Sequence, residues 1–290
     1  MGGLNSEAVR KSIVEKITSE LDRIGLMYRI FSRSKDGRSL KKKIDSDSDY
    51  GVTKKIQDLI GIRVVLYFND DIDTVRYIVS RAFRERSNDV SIDEVKNDEF
   101  RALRYNIVYS LSNELSTLLS LGDDENTIDT TFELQIRTIF SEGWHEVEHD
   151  LRYKCKSDWV GFDEQSRRLN GVYASLETNE WTMIKIFDEL AYSHYKNSEW
   201  AAMFRQKFRL RFSDMALDEA ISKIFEDVSI VKKFFRINRS ELIGDMINKE
   251  FYYPINLNNI IYFANLTKIK NNEILSITPE LMLEEMKQRS

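Results

Sequence analysis

Residues 132–137 read Phe132-Glu133-Leu134-Gln135-Ile136-Arg137. Strict alternation of apolar and polar residues marks a strand, because successive side chains leave it on opposite faces. Phe132, Leu134 and Ile136 therefore enter a core, while Glu133, Gln135 and Arg137 share the other surface. Further along the chain toward its start, Gly61-Ile62-Arg63-Val64-Val65-Leu66-Tyr67-Phe68 is β-rich and ends in Asn69-Asp70-Asp71. That pattern predicts a buried strand, then a turn into a helix near residues 72–83. More strands are predicted at 101–111 and 130–138, separated by a short Leu-rich helix and an exposed loop at 122–126.

Outside this block the periodicity is helical. Ile13, Ile17, Leu21 and Ile24 recur at helical spacing, Ser6 is a capping residue type, and Gly25 occupies a left-handed C-terminal position. After Phe140 the pattern stays helical almost to the end, interrupted at Pro254 and Pro279. Trp200, Phe204, Phe208 and Phe212 fall at intervals of four, one core stripe of a helix. Helix, strands and then helices predict an α+β fold with an all-helical C-terminal domain, divided at 1–190 and 191–290.

Composition narrows the classes. The 290 residues include 11 Gly and 2 Pro, where ordinary usage would give roughly 35 of the two together. Long structureless loops are thereby disfavoured, and 42% hydrophobic residues are enough to build a core. No apolar run exceeds five residues, so neither a membrane span nor a signal-peptide apolar region is expected. The single cysteine, Cys155, has no partner for an intrachain disulfide. A soluble, cytoplasmic protein is the expectation.

The net charge of −5 argues superficially against a phosphate-rich ligand. Between residues 29 and 43, however, Arg29, Arg33, Lys35, Arg38, Lys41, Lys42 and Lys43 face only Asp36, a local charge of +6 that leaves −11 for the rest. Asp58 lies just ahead of the strand containing Arg63, where a carboxylate suits Mg²⁺ as a hard oxygen ligand. Glu133 would complete the site if the two strands are neighbours. Metal carboxylates beside Arg33, Lys35 and Lys43, with Ser39 among them, fit phosphoryl-transfer chemistry, in which positioning and charge neutralisation do most of the catalysis. There is no Walker-type glycine loop, so side chains would have to hold the phosphates. Without the carboxylates, the basic segment would read as a solvated helix face or an RNA-binding patch, with Tyr28 and Phe31 as stacking groups.

Four blocks in order resemble the RelA/SpoT alarmone synthetases. Arg33 to Lys43 is similar to that family's ATP-binding segment, and Asp58-Leu59-Ile60-Gly61-Ile62-Arg63-Val64-Val65 to its metal-Asp block. Phe132 to Thr138 is similar to its catalytic-Glu strand, and Trp144 through Glu148-His149 to Tyr153-Lys154 to its closing helix. The resemblance spans roughly residues 21–190. It implies a nucleotidyltransferase-like mixed β-sheet flanked by helices, and transfer of pyrophosphate from ATP to the 3′-hydroxyl of GDP or GTP. In that reaction the hydroxyl attacks the β-phosphorus and AMP leaves. By the same resemblance Asp58 and Glu133 bind Mg²⁺, and Glu133 helps to deprotonate the hydroxyl. Arg33 and Arg63 clasp the adenine, and Lys35, Ser39 and Lys43 hold the ATP phosphates. A guanidinium plane suits stacking on a base, and an ammonium suits phosphate as a point charge.

The acceptor-side block departs from the family. Where synthetases typically read Pro-Lys-x-x-Gly-Tyr-x-Ser-Leu-His, this chain has Val95-Lys96-Asn97-Asp98-Glu99-Phe100-Arg101-Ala102-Leu103-Arg104. Phe100 keeps a ring face for stacking but lacks the phenol hydroxyl, and Arg104 replaces the histidine with a permanent cation. Lys96, Phe100 and Arg104, with Gln135 and His149, are the acceptor-side candidates. An adenosine nucleotide or the 3′ end of tRNA, as used by toxic small members of the family, is the alternative acceptor. An inactive module that binds RNA or a partner is the alternative of a different class. The tail carries no recognised catalytic motif and suits regulation, homo-oligomerisation or partner sensing.

His145-Glu146-Val147-Glu148-His149 also matches H-E-x-x-H, a zinc-protease pattern, with Glu164 or Glu177 nominated as third ligand. A protease leaves the four ordered blocks unexplained, and the synthetase-like reading is preferred. Trp144 is expected to be a packing residue, and His194 is given no site role.

Overall fold

The computed structural model describes residues 5–86, 91–92, 105–213 and 216–288. Its contacts divide the chain into two compact units, residues 1–19 with 28–180 and residues 20–27 with 181–290. The first unit holds a mixed sheet built from β1 (Tyr28–Ser34), β2 (Ile60–Leu66), β3 (Arg84–Glu85), β4 (Ser91–Ile92), β5 (Tyr105–Ser110) and β6 (Thr131–Thr138). Their order is β1-β2-β6-β5-β3, with β4 also paired to β5. β2 and β6 run parallel, and the pairs β1/β2, β5/β6, β3/β5 and β4/β5 are antiparallel. The two strands read from the sequence are thus direct neighbours, with Arg63 opposite Gln135 and Gly61 opposite Glu133.

One sheet face is the core. Phe132, Leu134 and Ile136 from β6 are fully buried, as are Ile60, Val64 and Leu66 from β2. The Phe132 ring meets Phe83 edge-on at 4.9 Å and stacks on Tyr109 at 5.5 Å. Helix α3 (Ile72–Ala82) buries Val75, Ile78 and Val79 and packs on β6. Helix α1 (Ser6–Ile24) buries Val9, Ile13, Ile17, Leu21 and Ile24, the predicted stripe. It stops at Gly25, whose φ of +74° is the left-handed conformation. A Cβ there would lie 2.9 Å from the Ile255 side chain, so glycine is required on two counts.

Helix α2 (Gly37–Asp45) follows β1, and α4 (Asn113–Leu119) follows β5. At the end of β6 the chain enters α5 (Ile139–Glu148) without a loop, because Thr138 caps the helix reciprocally with Ser141. A π-helical turn at His149–Tyr153 leads toward α6 (Asp163–Lys196).

The second unit is helical: the end of α6, then α7 (Trp200–Phe208), α8 (Glu219–Ile224), α9 (Val228–Phe235), α10 (Arg239–Asn248), α11 (Leu257–Ala264), α12 (Asn272–Ile277) and α13 (Glu280–Gln288). Phe204 packs against Phe208, Phe225 and Phe234 with ring centroids within 6.0 Å. The predicted four-residue stripe is corrected here: α7 ends at Phe208, Arg209 turns left-handed at φ +45°, and Phe212 lies beyond the helix. The buried Arg239 donates to the carbonyl of Phe208 at 2.7 Å, satisfying an end group the helix leaves open. No helix among the described residues is long and apolar enough to cross a membrane.

Candidate active site on the polar face of the sheet

The face opposite the core carries Glu133, Gln135 and Arg137, each half-buried as the alternation requires. The strand register sets Arg33, Gly61 and Glu133 in one row across β1, β2 and β6, and Phe31, Arg63 and Gln135 in the next. At Gly61 the Arg33 side chain passes close by: a Cβ there would stand in ordinary contact, 3.8 Å from Arg33 Cγ and 3.9 Å from Nε. The Arg33 side chain therefore lies beside Gly61 of the neighbouring strand.

A hydrogen-bonded chain links the second row. Gln135 Nε2 donates to Glu133 Oε1 at 2.6 Å, and Arg63 Nε donates to Gln135 Oε1 at 2.9 Å. Arg63 Nη1 in turn donates to Glu142 at 2.6 Å and to Glu146 at 2.5 Å. These two carboxylates lie one turn apart on α5, and the loop-free β6–α5 junction brings them over the sheet. Burial works against the Arg63 charge, but the Glu142 and Glu146 carboxylates outweigh it and hold its pKa above the usual value.

Asp58 lies just ahead of β2. Lys35, in the turn between β1 and α2, donates to one of its oxygens, and Lys43, on the last turn of α2, to the other at 2.6 Å. Burial alone would raise the Asp58 pKa, yet the hydrogen bonds and charges of Lys35 and Lys43 bring it below the usual carboxylate value. The three groups sum to +1, so the cluster still attracts an anion while its carboxylate is satisfied. Asp36 caps α2 by accepting from the Ser39 backbone at 2.8 Å, and the Ser39 hydroxyl lies 3.3 Å from the same carboxylate. Arg38, Lys41 and Lys42 point to solvent, so only part of the basic segment turns inward.

Asp58, Glu133 and Lys43 border a single cavity of about 1070 Å³ together with Tyr50, Lys54 and Arg84. Tyr50 has the ammoniums of Lys54 and Lys43 at 4.9 and 5.9 Å from its ring. Two carboxylates on one cavity suit Mg²⁺, which takes one or two protein carboxylates and leaves its other positions to phosphate and water. Asp58, satisfied by movable ammoniums rather than by fixed backbone donors, is available for exchange.

The remaining candidates are placed differently. His149 is exposed in the π-helical turn, close to Asp150 and stacked on Tyr153 at 5.6 Å. His145 is buried, 5.4 Å from the Trp144 ring and 6.1 Å from that of Tyr173. The H-E-x-x-H histidines thus sit in unlike surroundings, and no group of three metal-ligating side chains forms among the described residues. Trp144 packs on Tyr173 and donates to the Leu169 carbonyl, a structural residue. Lys96, Phe100 and Arg104 lie outside the described residues. Sequence reasoning missed Glu142, Tyr50 and Arg84, and read Glu146 only as part of the H-E-x-x-H pattern. The i, i+4 spacing of the two glutamates was visible, but not that they face Arg63.

Residues 32–158 match the family model described as "Region found in RelA / SpoT proteins". Among solved structures the chain is similar to a GTP pyrophosphokinase family protein from Streptococcus pneumoniae, at 23% identity, 63% of this chain, 89% of that one and a TM-score of 0.44. It is also similar to small alarmone synthetase 2 from Bacillus subtilis, at 19% identity, 64% and 98% coverage and a TM-score of 0.44. Small alarmone synthetase 1 from the same organism, bound to its product pppGpp, is similar at 20% identity, 63% and 94% coverage and a TM-score of 0.40. No curated protein matches the chain.

Proposed function

We propose that this chain, whose residues 32–158 match the RelA/SpoT region, is a pyrophosphotransferase of the RelA/SpoT type that transfers the β,γ-pyrophosphate of ATP to the 3′-hydroxyl of GDP or GTP. The observation that carries this reading is the shared cavity: Asp58 and Glu133 border it together, with Lys43 beside them and Lys35 on the Asp58 carboxylate. Phosphoryl transfer needs little covalent chemistry from the protein but much positioning and charge neutralisation.

In this reading Arg33 and Arg63 offer their planes to the adenine, and Lys35 and Lys43 turn from Asp58 to the triphosphate. Ser39 adds a hydroxyl at the first turn of α2. Asp58 and Glu133 would hold Mg²⁺, which supplies charge neutralisation at the phosphates when bound. Glu133 accepts the proton of the attacking 3′-hydroxyl. Oxygen attacks the β-phosphorus, the bond between that phosphorus and the α–β bridging oxygen breaks, and AMP departs. Lys96, Phe100, Arg104, Gln135 and His149 are proposed to serve the acceptor, and the helical residues 191–290 to serve regulation or self-association.

The departures at Phe100 and Arg104 favour a second acceptor class, an adenosine nucleotide or the 3′ end of tRNA. Incubation with β-labelled ATP and Mg²⁺ against GDP, GTP, ATP and tRNA in parallel separates these. Labelled GDP or GTP product supports the first reading, label on tRNA or an adenosine nucleotide alone replaces its acceptor, and no labelled product contradicts transfer.

A further inference from the structure

We infer that Glu142 and Glu146 are positioning residues that fix the Arg63 guanidinium as a charge-compensated platform for the donor's base. The inference rests on the functional reading above, because it assigns Arg63 to the adenine. Three carbonyl or carboxylate oxygens take the edge of this one side chain: Gln135 at 2.9 Å on Nε, and Glu142 at 2.6 Å and Glu146 at 2.5 Å on Nη1. A long side chain free to rotate would lose entropy on stacking; one already held from its edge leaves its plane oriented before the ligand arrives. Arg–carboxylate hydrogen bonds are strong and directional enough to do this.

The charges also divide the work between the two ends of the site. At the Asp58 end, two ammoniums face one carboxylate. At the Arg63 end, Glu142 and Glu146 face Arg63, and Arg137 Nε stands 3.6 Å from the second oxygen of Glu142. Two guanidiniums and two carboxylates cancel. A phosphate chain is therefore drawn to Lys35 and Lys43, and the compensated Arg63 is left to a neutral base, for which its flat face rather than its charge is useful. The clamp depends on α5 starting directly at the end of β6, since Glu142 and Glu146 meet a residue of the neighbouring strand β2.

The test is a double-mutant cycle on binding of ATP with Mg²⁺ and no acceptor, read by calorimetry. Glu142→Gln/Glu146→Gln is expected to weaken ATP binding about tenfold, or about 1.4 kcal/mol, and to add nothing once Arg63→Ala is present, because positioning residues act only through the group they position. Glu146→Gln alone, at a side chain 56% exposed, is the variant least able to disturb the fold and should show part of the loss. Inorganic tripolyphosphate should bind the Glu142→Gln/Glu146→Gln protein more tightly than the wild type, the opposite sign to ATP. Equal losses with and without Arg63 overturn the inference, as does parallel weakening of ATP and tripolyphosphate. If the wild type binds ATP and Arg63→Ala binds it equally well, the inference alone fails. If the wild type does not bind ATP, the functional reading fails with it.

Discussion

Lys43 Nζ, carried on the last turn of α2, lies 2.6 Å from Oδ1 of Asp58 at the entrance to β2. Lys35 holds the other oxygen, so the two proposed phosphate ligands satisfy the proposed metal carboxylate and leave a net charge of +1 before any ligand is present. Such an arrangement keeps mobile cations where a triphosphate needs them without leaving a half-buried carboxylate unpaired, which would be costly.

A stability signature follows from this triad. Asp58 has a folded-state pKa below its ordinary 3.8, because the hydrogen bonds from Lys35 and Lys43 outweigh the opposing effect of burial. A depressed carboxylate stabilises the fold at pH above its unfolded value and loses that contribution as pH falls through the folded value. Asp58→Asn should be less stable than wild type at neutral pH, with the gap narrowing below pH 3.8. Urea unfolding across that range measures it, and equal stability at neutral pH contradicts it.

Glu180 is expected to behave in the opposite sense. Its carboxyl is buried, and burial raises its pKa above 4.5 despite the hydrogen bond from Thr138, with Glu177 adding to the rise. A raised acid costs the fold nothing while protonated in both states, and stability declines as pH climbs from the unfolded toward the folded pKa. Glu180→Gln keeps an acceptor for Thr138 without the charge. It should be more stable than wild type at neutral pH and indistinguishable from it well below pH 4.5. A less stable variant at neutral pH in urea titrations would show that the charged carboxylate is favoured.

At Gly61 a larger residue should separate binding from stability. A Cβ at position 61 would already touch Arg33, 3.8 Å from its Cγ, so the branches beyond it in a valine would crowd that side chain, while β-branched residues suit strands. Gly61→Val is expected to weaken ATP binding roughly tenfold, by about 1.4 kcal/mol, with no fall in melting temperature. Unchanged ATP binding would mean that Arg33 does not work from beside Gly61.

On the core side of the same strand, Phe132→Ala should cost about 3–5 kcal/mol. The ring is fully buried between Phe83 and Tyr109. Urea denaturation reads this directly, and a loss below ~1 kcal/mol would mean that the site closes around the vacancy.

What the sequence made legible follows from where its patterns are strict. β6 alternates without exception, and β2 is a buried apolar run, so both were readable along with the surface Glu133 shares with Gln135. β1 escaped because its pattern is inverted at the centre: Phe31 is 53% exposed while Ser32 turns inward. The stripe at Trp200 overran its helix because Arg209, not a glycine, adopts the left-handed turn. The site shows the same division. The residue types near Asp58 and Glu133 suggested phosphate chemistry, whereas the contacts of Lys43 with Asp58 and of Glu142 with Arg63 depend on strand register and helix direction, which no local pattern encodes.

The most direct test of pyrophosphate transfer is the identity of the nucleotide released from ATP as the acceptor gains label. With β-labelled ATP, Mg²⁺ and the acceptor that reacts, the wild type should yield AMP in equal amount to labelled acceptor, and Glu133→Gln should yield neither while remaining folded. Release of ADP instead of AMP, or transfer undiminished in Glu133→Gln, would contradict the account.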